Sequence, residues 1–147
     1  MTERWLEDLS QQACLELLRA NAVGRIGIVQ DGWPIVLPIN YRLVEDAAGP
    51  LLMLRTRPGN AIDTAGNPVA FEVDGIDPSH RRGWSVLVQG VLRHVHAESA
   101  VLDARFDSDT WIAEDRTTFL TIEPTRITGR RLIQPTVQWA FHQSAYL

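Results

Sequence analysis

Short apolar segments separated by turn residues recur from residue 25 to residue 132, and they leave few folds open to the chain. Segments with the length and composition of β-strands cover residues 25–29, 35–43, 51–56, 69–73, 84–96, 117–123 and 126–132. They do not alternate regularly with helices, as the strands of a parallel sheet do. We therefore predict a mainly β protein, in which six or seven antiparallel strands close into a barrel that leaves few exposed edges.

Helical patterns are few and lie between the strands. Over residues 10–21 apolar side chains recur at helical spacing, with Ser10 suited to the N-cap and Gly24 to the stop. Shorter helices are predicted over residues 60–65 and 98–106. The expected architecture is a barrel with peripheral helices.

Glycine and proline mark the places where strands turn or bend. The pair Asp31-Gly32 predicts a hairpin turn, and residues 75–83, which contain proline and two glycines, predict a surface loop. Gly90 lies midway along a long strand, where it predicts a bulge or a close backbone approach. Pro124 has no N–H for a sheet, so it predicts a break between the last two strands.

Length and composition indicate one soluble domain. The 147 residues, 45% hydrophobic and 22% charged, suit a single domain over 1–147, with residues 134–147 as a tail packing on the barrel or on a partner subunit. No apolar run approaches the roughly 18–20 residues that span a bilayer, and the amino end has no signal-peptide core. We expect a cytoplasmic protein without membrane contact.

Charge and residue usage exclude several kinds of chemistry. The net charge of -4 argues against a nucleic-acid partner. All 14 cationic side chains are arginine, so no lysine is present to form a Schiff base. His94 and His96 have no third ligand at an obvious spacing, and we predict no metal site. Glu72 and Asp74 share one strand face, which we interpret as solvated.

Several motifs occur in a fixed order between residues 8 and 132. They are Val23-Gly24-Arg25-Ile26, Pro38-Ile39-Asn40-Tyr41, Leu54-Arg55-Thr56 followed by Pro58-Gly59, Val69-Ala70-Phe71-Glu72-Val73-Asp74, Gly83-Trp84-Ser85-Val86, Gly90, Ile122-Glu123-Pro124 and Ile127-Thr128-Gly129-Arg130. Their order and spacing resemble the FMN-binding split β-barrel family related to pyridoxamine 5'-phosphate oxidase. The resemblance implies a homodimer with a cofactor groove at its interface.

The resemblance also implies which side chains contact the cofactor. One strand would lie beside the isoalloxazine ring, and a strand end with the helix after it would bind the phosphate, as guanidinium and hydroxyl donors can. The implied contacts are Pro38, Asn40, Tyr41, Arg55, Thr56, Asn60, Trp84 and Ser85. Each of three has an alternative that needs no ligand. Tyr41 would be a half-buried barrel residue, and Arg55 would be a solvated residue at a strand end. Trp84 would plug one end of the barrel.

By this resemblance the chain is an FMN-dependent oxidoreductase that transfers hydride to or from a small molecule, with no catalytic side chain identified. Similar proteins usually have lysine where Asn60 stands. One alternative is the deazaflavin coenzyme, whose acidic tail could use Arg81, Arg82, Arg130 or Arg131. The others are a non-enzymatic protein that binds a flavin, a deazaflavin or haem, and a dimeric split barrel without cofactor.

Overall fold

In the computed structural model, residues 5–56, 67–95 and 118–133 are described. Their elements are β1 Leu6–Asp8, α1 Gln11–Ala20, β2 Val23–Gln30, β3 Trp33–Asp46, β4 Gly49–Thr56, β5 Pro68–Asp77, β6 Arg82–His94 and β7 Thr118–Leu132. Every strand pair is antiparallel, in the order β1-β7-β4-β3-β2-β5-β6, and β6 also pairs with β7 to close the ring. The prediction of an antiparallel split barrel is confirmed.

The helix α1 begins where the sequence predicts. The Ser10 hydroxyl accepts a hydrogen bond of 3.1 Å from the backbone N–H of Ala13, which satisfies one of the free donors at a helix start. The buried face of the helix presents Cys14 and Leu18 to the barrel. At the other end, the Asn21 side-chain amide donates to the Leu17 carbonyl at 2.7 Å and so takes the stop position.

Gly24 is not the helix stop, which corrects the prediction. It lies inside β2, where the Phe71 side chain of the adjacent strand β5 packs against it. A Cβ at this position would overlap the Phe71 ring and approach the Glu72 carbonyl oxygen to 2.9 Å. Glycine is therefore required here by close packing and not by helix termination.

The hairpin between β2 and β3 turns at Asp31-Gly32, as predicted. Both residues have positive φ, 52° and 80°, which is the backbone of the two-residue turn that matches strand twist. The loop predicted over 75–83 is shorter than expected. Strand β5 continues to Asp77 and β6 starts at Arg82, because the hydrogen-bonded register extends to the pair Asp77 and Arg82.

The last two predicted strands are one strand, β7. Pro124 does not break it, because the register shifts between Gln89 and Gly90 and leaves Thr125 without a partner in the ladder. The Thr125 hydroxyl donates instead to the Gln89 carbonyl at 3.0 Å. The bulge predicted at Gly90 is thus confirmed, and it is also the device that accommodates the proline.

The strand β1 was not predicted from the sequence. Its three residues are all exposed, too few for an alternation to be recognised. It pairs with the end of β7, Leu6 opposite Leu132, while β4 pairs with the beginning of β7 along the same edge. The Glu7 carboxylate also accepts a hydrogen bond of 2.6 Å from Arg131.

Inward-facing side chains of the barrel strands and the helix form one main core. Burying each large apolar side chain contributes about 1.5–3 kcal/mol to the free energy of unfolding. The fully buried members of this core include Leu18, Ile26, Tyr41, Leu52, Leu54, Phe71, Val73, Val86, Val88, Leu92, Leu120 and Ile122. The core fixes which side of each strand remains on the outside, and the candidate site lies there.

Some predictions fall on residues that the structure does not describe. These are the short helices over 60–65 and 98–106 and the tail over 134–147. The single-domain organisation and the cytoplasmic location also stay predictions. Among the described residues, no helix has the length and apolar character needed to cross a membrane.

Candidate functional site

Three of the predicted contacts meet on the outer side of β3 and β4. Because side chains alternate along a strand, burial of Ile39 and Tyr41 directs Pro38 and Asn40 outward, and both are exposed. Burial of Leu54 likewise directs Arg55 outward, where it is half-buried. Tyr41 pairs with Leu54, and because the strands are antiparallel, Asn40 and Arg55 follow this pair on the same side and lie beside each other. A guanidinium, an amide and an apolar ring therefore share one surface.

Ser85 faces the same outer side but lies farther around the barrel. Asn40 pairs with Val23 of β2, and Ser85 of β6 pairs with Asp74 of β5. On its other side, Ser85 pairs with Arg130 of β7. Strands β2 and β5 thus separate Ser85 from the cluster of Pro38, Asn40 and Arg55.

Tyr41 does not reach this surface, and its predicted contact with a ligand stays a prediction. The side chain is 1% exposed, its hydroxyl donates to the Leu18 carbonyl at 2.6 Å, and its ring packs edge-on against Phe71. Burial raises the pKa of this phenol well above its usual range. Tyr41 joins helix to barrel, because its ring fills the core while its hydroxyl satisfies a helix carbonyl.

Thr56 and Trp84 also point inward. Thr56 is 8% exposed and follows Leu54 on the inner side of β4, so a ligand on the outer side would contact Arg55 but not the Thr56 hydroxyl. Trp84 packs against the core, and a Cβ on Gly75 would lie 2.5 Å from its indole nitrogen. The indole therefore lies directly over Gly75.

Asn60, the remaining predicted contact, lies outside the described residues.

Large apolar side chains are exposed on the outer side of the barrel beside these residues. Val36 is 69% exposed, Val29 66% and Val23 54%, and Leu87 of β6 is also exposed. We call these four side chains, together with Pro38, the valine face. Four of its members lie on the neighbouring strands β2 and β3, and Leu87 lies on β6, beyond β5. Exposed apolar side chains clustered on paired strands are typical of a protein or ligand interface.

Within the valine face lies a charged triad that sequence inspection missed. Arg25 of β2 stands opposite both Pro38 and Glu72 in the sheet. Its guanidinium is 3.4 Å from Asp74 Oδ1 and 3.9 Å from Glu72 Oε2. The three side chains are 42%, 26% and 34% exposed, in the order Arg25, Asp74, Glu72, so they are not a fully solvated face. Cross-strand register brings Arg25 to the two acids, and spacing along β5, which pairs Glu72 with Asp74, gave no signal of that contact.

Glu72 is electrostatically the most perturbed of the three. Desolvation raises its pKa to about 7, the hydrogen bond and negative charge of Asp74 act in the same direction, and Arg25 opposes them. Its Oε1 atom is buried and has no hydrogen-bond partner among the described residues. An unpaired buried oxygen costs less free energy in a neutral carboxyl than in a carboxylate. The geometry therefore favours a proton on Glu72 near neutral pH.

The outer surface combines anion-binding, apolar and proton-holding groups. Arg55 can neutralise an anion, Asn40 can donate and accept hydrogen bonds, and the valine face can cover a flat ring. Within the described ranges, no group of three or more histidine, cysteine, aspartate or glutamate side chains is placed to hold a metal ion. The described donors suit an anionic, partly aromatic organic ligand.

Comparison with known proteins gives a family match over most of the chain. The family model described as pyridoxamine 5'-phosphate oxidase matches residues 10–131. An uncharacterized protein of Mycobacterium tuberculosis is 28% identical over 133 residues, which are 88% of each chain. The matched span includes every described element except β1 and the end of β7.

Two solved structures extend the likeness to three dimensions. An FAD-binding protein from Mycobacterium smegmatis has a TM-score of 0.66 and 30% identity, over 87% of this chain and 99% of that one. An FAD-binding protein from Mesorhizobium loti also has a TM-score of 0.66, with 25% identity over 88% of this chain and 100% of that one. Both relatives match along nearly their whole length.

Proposed function

This chain belongs to the pyridoxamine 5'-phosphate oxidase family, and on that premise we propose that it is a flavin-binding oxidoreductase with FMN as its cofactor. The observation that carries the proposal is the common outer surface of Pro38, Asn40 and Arg55 beside the valine face. The FAD-binding relatives support a flavin and make FAD the nearest alternative to FMN.

The described residues fit a flavin by their chemistry. Arg55 offers a guanidinium to a phosphate, and its partial burial strengthens such a charge-assisted contact. Asn40 can hydrogen-bond polar atoms on the edge of the ring, and Pro38 presents an apolar surface to its face. When bound, the flavin supplies hydride transfer to or from a small-molecule substrate. Thr56 and Trp84, which point inward, have no part in this proposal.

Assembly is the second part of the proposal: two copies associate through their valine faces, with a cofactor site at each interface. An isologous dimer buries the same patch on both copies, so one apolar face is sufficient to form it. The partner would cover the ring and exclude water from the surface around Asn40. Exposure of Val36 and Val29 at more than 60% supports this assembly.

The test is a titration of the purified protein with FMN, FAD and the deazaflavin coenzyme, followed by melting temperature and absorbance. We expect saturable stabilisation by one of them, because a ligand that binds only the native state raises its stability. Arg55→Ala should weaken that binding roughly tenfold to hundredfold, the range of a hydrogen bond to a charged group.

The matched control is Arg19→Ala, which removes an exposed arginine ion-paired with Glu45 on the helix side. This variant should bind the flavin as the unmodified protein does, and circular dichroism should show both variants folded. If none of the three compounds raises the melting temperature, the flavin proposal is wrong. Equal affinity in Arg55→Ala and Arg19→Ala would remove Arg55 from the site.

The second candidate function is a binding protein without enzymatic turnover, and the absence of lysine favours it. The chain has no lysine to place beside a flavin phosphate, so arginine would be the side chain that supplies positive charge there. Haem belongs in the same titration. A flavin-loaded protein whose flavin absorbance is not bleached by reduced nicotinamides would support storage or sensing.

A further inference from the structure

The charged triad of Arg25, Glu72 and Asp74 has apolar neighbours, which makes burial of its charges unfavourable. Arg25 is flanked along β2 by exposed Val23 and faces Pro38 across the strand pair, while Glu72 faces Leu87. If this surface is covered by a second copy, the triad is taken out of water with it. Desolvated charges are tolerated at an interface only when they are compensated.

Compensation in the triad depends on one proton. Arg25 is a permanent cation, and Glu72 and Asp74 are two acids within reach of it. With one proton held between the acids the triad is neutral, and without that proton it carries one net negative charge. The unpartnered Oε1 of Glu72 indicates that Glu72 holds the proton.

We infer that Arg25, Glu72 and Asp74 form a proton-dependent switch in the valine face: the protonated triad allows two copies to associate, and its deprotonation drives them apart. This inference rests on the proposed dimer. A two-fold axis would bring two triads into one interface, so loss of both protons places like charges in a desolvated contact. The pKa of Glu72, raised to about 7, puts the transition in the neutral range.

The other groups around Glu72 leave this charge balance unchanged. On β5 the titratable neighbour is Asp74, on β2 it is Arg25, and the facing residues of β6 and β3 are Leu87 and Pro38. Arg130 of β7 is the next cation along the row, separated from Asp74 by Ser85.

The experiment is sedimentation equilibrium of the full chain at pH 6 and pH 8.5. The dissociation constant of the dimer should rise roughly tenfold to hundredfold between them, because each pKa unit that assembly adds to one group is a tenfold factor and two copies contribute. A monomer at every pH and concentration would overturn the proposed dimer and this inference with it. A dimer with the same constant at both pH values would overturn the switch alone.

Variants separate the triad from other sources of pH dependence. Glu72→Gln and Asp74→Asn each leave one acid with Arg25, so both should give a dimer that is equally tight at pH 6 and pH 8.5. Glu45→Gln, which removes an exposed carboxylate paired with Arg19, should keep the full pH dependence. If the Glu72 variant keeps it as well while circular dichroism shows a native fold, the switch is located elsewhere and the inference is wrong.

Discussion

At Gly90 the barrel has room for a hydrogen atom and nothing larger. A Cβ there would overlap the Glu123 carbonyl oxygen and lie 2.9 Å from Ile122 Cγ2. Both neighbours belong to β7, whose backbone approaches closely because of the bulge beside Pro124. Gly83, on the same strand, has its nearest atom at 3.5 Å, an ordinary contact distance. A side chain would therefore be accommodated at Gly83 but not at Gly90.

We expect Gly90→Ala to lower the free energy of unfolding by about 1–3 kcal/mol, the cost of forcing atoms into a packed site. Gly83→Ala should change it by less than about 1 kcal/mol, since glycine in a strand is itself unfavourable relative to alanine. Urea unfolding of both variants measures the difference. Equal stabilities would show that β7 moves aside at no cost.

At the residue scale the motifs predict Pro38, Asn40 and Arg55 as ligand contacts, and strand alternation places all three on the outer side of the barrel. Motif order did not reveal that Tyr41, in the same motif as Asn40, points into the core. It also missed the contact of Arg25 with Glu72. That contact depends on the register between β2 and β5, and no local pattern specifies register between strands 45 residues apart.

Among the elements, α1 is the one helix within the described residues, and it packs against the barrel core. Leu18 and Cys14 are buried against the strands, and the Leu18 carbonyl accepts the Tyr41 hydroxyl. The helix has ten residues, too few to be stable alone in water. Its formation therefore depends on this packing and on its cap.

The cap contribution is measurable at Ser10. We expect Ser10→Ala to lower the free energy of unfolding by about 1 kcal/mol, because the backbone N–H of Ala13 loses its acceptor. Ser10→Asp should retain stability, since a carboxylate accepts the same hydrogen bond and suits the positive end of the helix dipole. Urea unfolding compares the three proteins, and a loss in the aspartate variant equal to that in alanine would rule out the cap.

Element-scale prediction succeeded where alternation and turn chemistry agree, as in the hairpin through Asp31-Gly32. It failed at Pro124 because the missing N–H was taken to end a strand. The bulge with Thr125 shows how one strand continues past a proline when a side-chain hydroxyl replaces the lost backbone contact. The three residues of β1 are too short to be recognised, and tertiary pairing with β7 alone makes them a strand.

At the scale of the whole molecule, stability should depend on pH through Glu72. Its pKa is about 7 in the folded chain against an ordinary 4.5, so the folded state binds the proton more tightly than the unfolded state. The free energy of unfolding should therefore fall as pH rises from about 4.5 to about 7, and level off above that. Urea unfolding at low protein concentration, at pH 5 and pH 8, measures the fall.

Glu72→Gln has no such proton to lose, and its stability should change less between the two pH values than that of the unmodified chain. Glu45→Gln again serves as the control, because it leaves Glu72 in place. An identical fall in all three proteins would mean that other groups, and not Glu72, govern this range. The barrel followed from the pattern of strand-like segments and the family from motif order, but this charge balance required the folded register.

The position of β7 has a consequence for how the barrel is made. It is the last of the described strands in chain order, and it pairs with β1, β4 and β6. During synthesis on the ribosome, the earlier strands therefore emerge with two sheet edges that have no partner until residues 118–132 have left the exit tunnel. Ring closure is a late, long-range event of the kind that folds slowly. A nascent chain halted before β7 should be a substrate for chaperones that bind open β-edges.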